Sequence, residues 1–371
     1  MASGRGKYLE TCFFSQSTEA SKYITLEKIG QGNFSEVFKA REKGINQKIV
    51  AMKRMLTYNE KDGPPISVLR EVRLLQHLKH ENIVSLIGTC CSSSSFYLVF
   101  EFCEYDLEGL LKNTKVNLRL GELKNVLQQL LKGLYHVHSK KISHRDVNPA
   151  NVLITKNGIL KLADFGSARA FCLPEPTEPQ NRYTNPVVTL WYRSPELLLG
   201  DRNYGPSVDM WGAGCIMAEM CTRSPILRGN TEQEQIKLIS QLCGSFTPDV
   251  WPGIVKLKLY NEMELPMGHN RKVKDRLKGF VRNAYGCELL DKLLQLDPNA
   301  RIDADSALKH DFFWTHPMPS DLSDMISRHR SSMFYYSAPR TNQMKRPYQE
   351  QIGNNQIQNK RQYKGYEDRI Y

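Results

Sequence analysis

Three short segments carry the residues with the plainest chemistry. His144-Arg145-Asp146-Val147-Asn148-Pro149-Ala150-Asn151 comes first, then Asp164-Phe165-Gly166, and Ser194-Pro195-Glu196 begins 30 residues after that aspartate. Moving a phosphoryl group onto a hydroxyl needs a carboxylate to orient the hydroxyl, and an amide plus a second carboxylate to hold a divalent cation. Asp146, Asn151 and Asp164 supply that set. Upstream lies Gly30-Gln31-Gly32-Asn33-Phe34-Ser35-Glu36-Val37. Two glycines two apart let a backbone hairpin approach phosphates, because no Cβ stands in the way. The Val37-Phe38-Lys39-Ala40 run predicts strand–loop–strand, against a dinucleotide site whose glycines would open a helix. Lys53 closes the strand-like Val50-Ala51-Met52-Lys53. A lone strand lysine is usually a solvated charge, but Glu71 offers the anion that would fix it for holding two phosphates.

The elements that must position these groups are legible from periodicity. Short runs rich in β-branched and aromatic residues, such as 49–53 and 96–100, predict strands. One helix interrupts them at 65–78, with Pro65 in its first turn and Ile66, Leu69, Leu74 and Leu78 as a broken apolar stripe. After Phe102 the helical period dominates. Residues 123–138 repeat Leu and Val at helix spacing, and 209–220 are apolar nearly all round, as in a buried central helix. The expected division is a loose leader over 1–22, a strand-rich lobe over 23–102 and a helix-rich lobe over 105–316. An extension over 317–337 and a tail over 338–371 follow. In the tail ten residues are Asn or Gln, and seven Lys or Arg oppose three Asp or Glu. That composition predicts disorder.

The chain has 371 residues, 40% of them hydrophobic and 24% charged, enough to build a sizeable core and against wholesale disorder. No apolar window is long enough for a membrane span, and the first residues lack the apolar run of a signal peptide. Fifty-one Lys and Arg against 39 Asp and Glu leave +12, a balance that favours anionic partners without specifying one. The nine cysteines show neither a CxxC pair nor metal spacing, which points to a reducing compartment, cytosol or nucleus.

Taken in order, these motifs resemble the eukaryotic protein kinases over about residues 23–316. The 65–71 stretch is similar to the cyclin-facing helix of the cyclin-dependent kinases. Residues 99–104, 181–185, 191–193, 212–219 and 310–314 resemble members that act with T-type cyclins on the C-terminal repeats of RNA polymerase II. The resemblance implies an α+β bilobal protein kinase fold, with a small antiparallel β-sheet lobe carrying one helix and a large, mainly helical lobe. It implies a proline-directed serine/threonine kinase of the nucleus that promotes transcription elongation, with ATP and Mg2+ as cofactors.

Residue by residue, the resemblance makes Asp146 the group that orients the substrate hydroxyl and takes its proton. Lys53 holds the α- and β-phosphates, braced by Glu71, while Asn151 and Asp164 bind the metal. ATP lies among Ile29, Gly30, Gly32, Val37, Ala51 and Leu153, meets the backbone of Glu101 and Cys103, has Phe100 behind it and Asp106 at its edge. Thr184 is the activating phosphosite, facing Arg70, Arg145 and Arg169. Val187, Val188 and Arg193 form the pocket for the proline after the target residue. Glu196 and Arg301 form a buried structural ion pair. A lone chain is expected to be inactive, because the helix bearing Glu71 must be pressed inward before Lys53 finds it.

Four positions depart from the family pattern. Ser35 replaces a third glycine, a small change. Asn33-Phe34 replaces the Thr-Tyr pair on which cell-cycle members are inhibited. Asn148 stands where the family places a lysine that offsets charge on the moving phosphoryl group; asparagine can donate a hydrogen bond there but brings no charge. Asn148 therefore keeps open a second reading, a catalytically weak or inactive kinase fold that serves as a cyclin-binding module. Direct nucleic-acid binding is not expected, since the basic pairs Lys345-Arg346 and Lys360-Arg361 read as solvated charges.

Overall fold

The first lobe grows from β-branched and aromatic residues that alternate across two faces. In the computed structural model, which describes residues 18–32, 34–56, 64–92, 95–171, 190–328 and 333–334, they form a six-stranded sheet. Its strands are β1 (Thr18–Glu19), β2 (Tyr23–Gln31), β3 (Ser35–Glu42), β4 (Ile49–Met55), β5 (Leu86–Ser92) and β6 (Ser95–Glu101), in the order β1-β5-β6-β4-β3-β2. Pairing is antiparallel except for β1, which runs parallel to β5 with Thr18 opposite Cys90 and Glu19 opposite Cys91. The expected leader over 1–22 is therefore too long. Thr18–Glu19 finds hydrogen-bonding partners on an open sheet edge, and Ala20 and Tyr23 pack against a small core of Ala40, Val50, Met52, Cys90 and Val99. Residues 1–17 lie outside the described residues.

Helix α1 (Ile66–His77) begins directly after Pro65 and buries Val68, Val72 and Leu75 together with Glu71. The larger lobe opens with β7 (Tyr105–Asp106), α2 (Leu107–Lys112) and the long α3 (Leu120–Ser139). Short strands β8 (Ile142–Ser143), β9 (Val152–Ile154), β10 (Leu160–Leu162) and β11 (Arg169–Ala170) frame the loops that carry Asp146 and Asp164. Helices α4 (Pro195–Leu198), α5 (Ser207–Thr222), α6 (Glu232–Cys243), α7 (Val273–Val281), α8 (Ala284–Leu293) and α9 (Ala304–Leu308) complete it, with α10 (Ser323–Arg328) beyond. Every residue of α5 from Val208 to Met220 is buried, as its all-round apolar sequence requires. Among the described residues no helix is long and apolar enough to cross a membrane.

Backbone hydrogen bonds and buried apolar side chains fasten the extension after residue 316 to the larger lobe. The Ser320 N–H donates to the Gly121 carbonyl at 3.0 Å, with Leu322 and Met325 fully buried. Further on, Met333 lies beside the strand that joins the lobes: its N–H donates to Glu104 and its carbonyl accepts from Asp106. The tail over 338–371 lies outside the described residues.

Candidate active site

Strand register brings the glycine hairpin and Lys53 onto one surface. Val37 of β3 lies opposite Lys53 of β4, Phe100 of β6 lies opposite Ala51, and directly opposed residues share a face. Gly30 lies opposite Val37, and a Cβ on Gly30 would come within 3.3 Å of the Val37 Cβ. The Gly32 N–H donates to the Ser35 carbonyl at 2.8 Å and tightens the hairpin. Ile29, Phe100 and Cys103 are buried, and burial pushes the Cys103 thiol up to about 12. Leu153 stands on β9 in the other lobe, opposite Asp106 of β7. The Glu101 carboxylate accepts from the Ser85 N–H and pairs with Lys161 at 3.1 Å, which pins the strand joining the lobes. Asp106 has a task unassigned by the sequence: its buried carboxylate caps α2 by accepting from the Gly109 N–H.

Lys53 joins the lobes electrostatically. Its Nζ lies 2.9 and 3.1 Å from the Glu71 carboxylate oxygens and 2.8 Å from Oδ1 of Asp164. Burial opposes its charge, but Asp164 and Glu71 together hold the ammonium above its ordinary range. Lys53 in turn holds the Asp164 carboxyl low, whereas burial outweighs Lys53 at Glu71 and pushes that carboxyl up. The expectation that the Lys53–Glu71 pair is broken in the lone chain is not met. The buried apolar face of α1 and the pairing of Lys53 with both Glu71 and Asp164 hold the helix inward in this structure.

The loop carrying Asp146 is gripped from beneath by Asp209, a residue the sequence reading missed. Its fully buried carboxylate accepts from the backbone N–H of His144 (2.8 Å) and Arg145 (2.7 Å), from Ser143 Oγ (3.0 Å), and pairs with His138 Nε2 (2.8 Å). Burial disfavours its charge, but these donors hold the carboxyl below its usual range. The available signal was a pair of acids, Asp209 and Glu219, on a helix otherwise almost entirely apolar. Close packing completes the grip, since a Cβ at Gly212 would lie 2.6 Å from the Val147 carbonyl oxygen. The adjacent ring of His144 meets the Ala163 carbonyl at 2.9 Å and sets its edge against Phe165, aligning the Asp146 and Asp164 loops.

Two amides meet the Asp146 carboxylate: Asn148 Nδ2 at 2.8 Å from Oδ1 and Asn151 Nδ2 at 3.1 Å from Oδ2. Burial, then Asp164, push the Asp146 carboxyl up, and the amides pull the other way. With its nitrogen so engaged, Asn151 has Oδ1 to offer a cation. Asp164, held in the left-handed region at φ 63°, is the other oxygen donor. Among the described residues no three His, Cys, Asp or Glu converge on one point. This sparse oxygen set suits a hard cation that takes its remaining ligands from phosphate and water, as Mg2+ does.

The arginines expected around a phosphate sit as follows. Arg145 donates to the Ser167 carbonyl and to the Tyr204 hydroxyl, and Arg169 to the carbonyls of Gly166 and Ala168. Arg70 is half-buried on α1 beside Glu71. Arg193 is buried and paired with Glu232. Thr184, Val187, Val188 and Asn33 lie outside the described residues. Arg301 and Glu196 meet through two bonds of 2.7 and 2.9 Å with neither side chain exposed.

A sheet lobe and a helical lobe joined by a short segment, with Lys53, Asp146, Asn151 and Asp164 converging between them, define a phosphotransferase architecture. The protein kinase domain family matches residues 23–313, and the chain belongs to that family. It is 61% identical over 329 residues to human cyclin-dependent kinase 9, covering 86% of this chain and 88% of that protein. To zebrafish cyclin-dependent kinase 9 it is 59% identical over 344 residues, covering 90% and 91%. Its structure is similar to a chain of the yeast RNA polymerase II CTD kinase CTDK-1 complex, with a TM-score of 0.73 and 34% identity. That match covers 83% of this chain and 98% of the other.

Proposed function

We propose that the protein is a cyclin-dependent, proline-directed serine/threonine kinase of the nucleus. It acts with a T-type cyclin on the C-terminal repeats of RNA polymerase II and so promotes transcription elongation. The observation that carries this reading is the convergence of Lys53, Glu71, Asp146, Asn151 and Asp164 on one site. Likeness to cyclin-dependent kinase 9 over most of the chain supports the choice of partner and substrate.

In the reaction, Asp146 accepts a hydrogen bond from the substrate hydroxyl and takes its proton as the oxygen attacks the γ-phosphorus of ATP. The bond from that phosphorus to the bridging oxygen breaks, and ADP leaves with the electron pair. Lys53, braced by Glu71, holds the α- and β-phosphates; Ile29, Val37, Ala51 and Leu153 enclose the adenine. Asn151 and Asp164 would hold Mg2+, which would supply positive charge to offset that of the phosphates. Phosphorylation of Thr184 adds a charge near −2, matched by Arg70, Arg145 and Arg169. Val187, Val188 and Arg193 receive the substrate proline.

The test is radiolabel transfer from ATP to a repeat peptide by the complex with a T-type cyclin, with Asp146→Asn as the blank. Label on serine or threonine well above the blank is expected. Equal label in both refutes the enzyme and leaves the cyclin-binding module.

A further inference from the structure

The amide of Asn148 has only one orientation open to it. The residue is 4% exposed, and two neighbours decide which end of its amide points where. The ionised carboxylate of Asp146 can only accept, and the backbone N–H of Ala150 can only donate. Nδ2 accordingly faces Asp146, 2.8 Å from Oδ1 and 3.2 Å from the backbone oxygen. Oδ1 accepts from the Ala150 N–H at 3.0 Å and caps the single helical turn Pro149–Asn151. Asn151 repeats half of this pattern from the other side, with Nδ2 at 2.9 Å from the same backbone oxygen and 3.1 Å from Oδ2. Each carboxylate oxygen of Asp146 thus has its own amide donor. The amide of Asn148 is spent within the loop, so it does not stand in at the phosphoryl group for the absent lysine.

We propose that Asn148 is a positioning residue for Asp146. With Asn151 it forms a two-amide clamp that fixes the carboxylate plane and directs its remaining lone pairs at the substrate hydroxyl. The inference rests on the kinase reading above. It separates Asn148 from a role in nucleotide binding and from one as a mere turn cap.

The test compares wild type, Asn148→Ala and Asn148→Ser in the complex with a T-type cyclin, measuring kcat, KM for ATP and thermal melting. Serine can still accept from the Ala150 N–H but is too short to reach the Asp146 carboxylate. Both variants are expected to melt cooperatively, to keep KM for ATP within about twofold and to lose kcat by about tenfold to a hundredfold, the scale of a misplaced reacting group. A serine variant with wild-type kcat overturns the clamp in favour of a turn cap. A rise in KM with kcat preserved overturns it in favour of nucleotide contact. A wild-type complex no more active than Asp146→Asn defeats the kinase reading, and the clamp falls with it.

Discussion

Restoring the lysine that the family pattern carries at position 148 separates charge from geometry. In Asn148→Lys a longer side chain, starting where Nδ2 now sits 2.8 Å from Asp146, keeps a donor on the carboxylate and carries a positive charge toward the phosphoryl oxygens. Two unit charges about 4 Å apart interact by about 4 kcal/mol at an effective dielectric of 20. Only the part that grows between ground and transition state accelerates the reaction. A single preorganised donor is worth about 10²–10³ in kcat, and the clamp already supplies the geometric share, so a gain of about tenfold is expected. Against it stands the lost cap on the Ala150 N–H, about 1 kcal/mol of stability. That cost lowers Tm by about 2–4 °C without touching chemistry.

The assay is steady-state transfer to a repeat peptide at saturating ATP, with the cyclin complex assembled before the measurement and melting followed in parallel. A tenfold higher kcat with a slightly lower Tm fits an enzyme limited by missing charge. An unchanged or lower kcat in a cooperatively folded variant refutes that account, and would mean that loop geometry alone sets turnover.

Three other perturbations probe the frame around the site. Glu71→Gln keeps the shape but leaves Asp164 as the only carboxylate on Lys53 among the described residues; kcat/KM for ATP should fall about tenfold to a hundredfold, the worth of a charged hydrogen bond, and values within twofold of wild type would contradict the bracing role. Gly212→Ala would drive a methyl to 2.6 Å from the Val147 carbonyl oxygen, so both Tm and kcat should drop, with overpacking costing about 1–3 kcal/mol; a variant with unchanged kinetics would show that the loop yields freely. Burial raises the Glu219 carboxyl to about 7, with Tyr192 donating to it at 2.6 Å. The folded state therefore holds a proton that the unfolded state releases near the ordinary carboxyl value of 4.5, and stability falls by about 3 kcal/mol as pH rises from there to 7. Glu219→Gln should flatten that slope in melting curves taken across the window, and parallel curves for the two proteins would sink the assignment.

What the sequence made legible, and what it hid, follows from where each stabilising contact lies. Strand β4 and helices α1, α3 and α5 fall within a few residues of the expected bounds because their apolar periods are local, although α1 buries Val68, Val72 and Leu75 and leaves Ile66 of the expected stripe exposed. The pairing of Thr18–Glu19 with Cys90 and Cys91 is invisible, since a two-residue strand owes its order to an edge brought from about 70 residues away. The inward position of α1 was missed for a related reason: its depth is set by Lys53 and Asp164, groups on other elements. Asp146, Asn151 and Asp164 stand out in the sequence because phosphoryl transfer restricts the residue types that can serve it. Asp209 belongs to no such list.

The same distinction explains how the loop can carry an asparagine at 148. Its backbone is held by Asp209 at His144 and Arg145, and its underside is packed against Gly212. Neither support involves the side chain at 148. A substitution there is therefore free to change what reaches Asp146 without unseating the loop. In this protein the change exchanges a mobile cation for a neutral amide bonded at both ends. Charge at the phosphoryl group is lost and orientation of the carboxylate is gained, and the two effects act on different parts of the same step. Orientation governs how often the hydroxyl is aligned, whereas charge governs how well the transition state is stabilised once it is. The expected outcome is a kcat below that of Asn148→Lys at an unchanged KM for ATP, and equal kcat values for the two proteins would refute this division of roles.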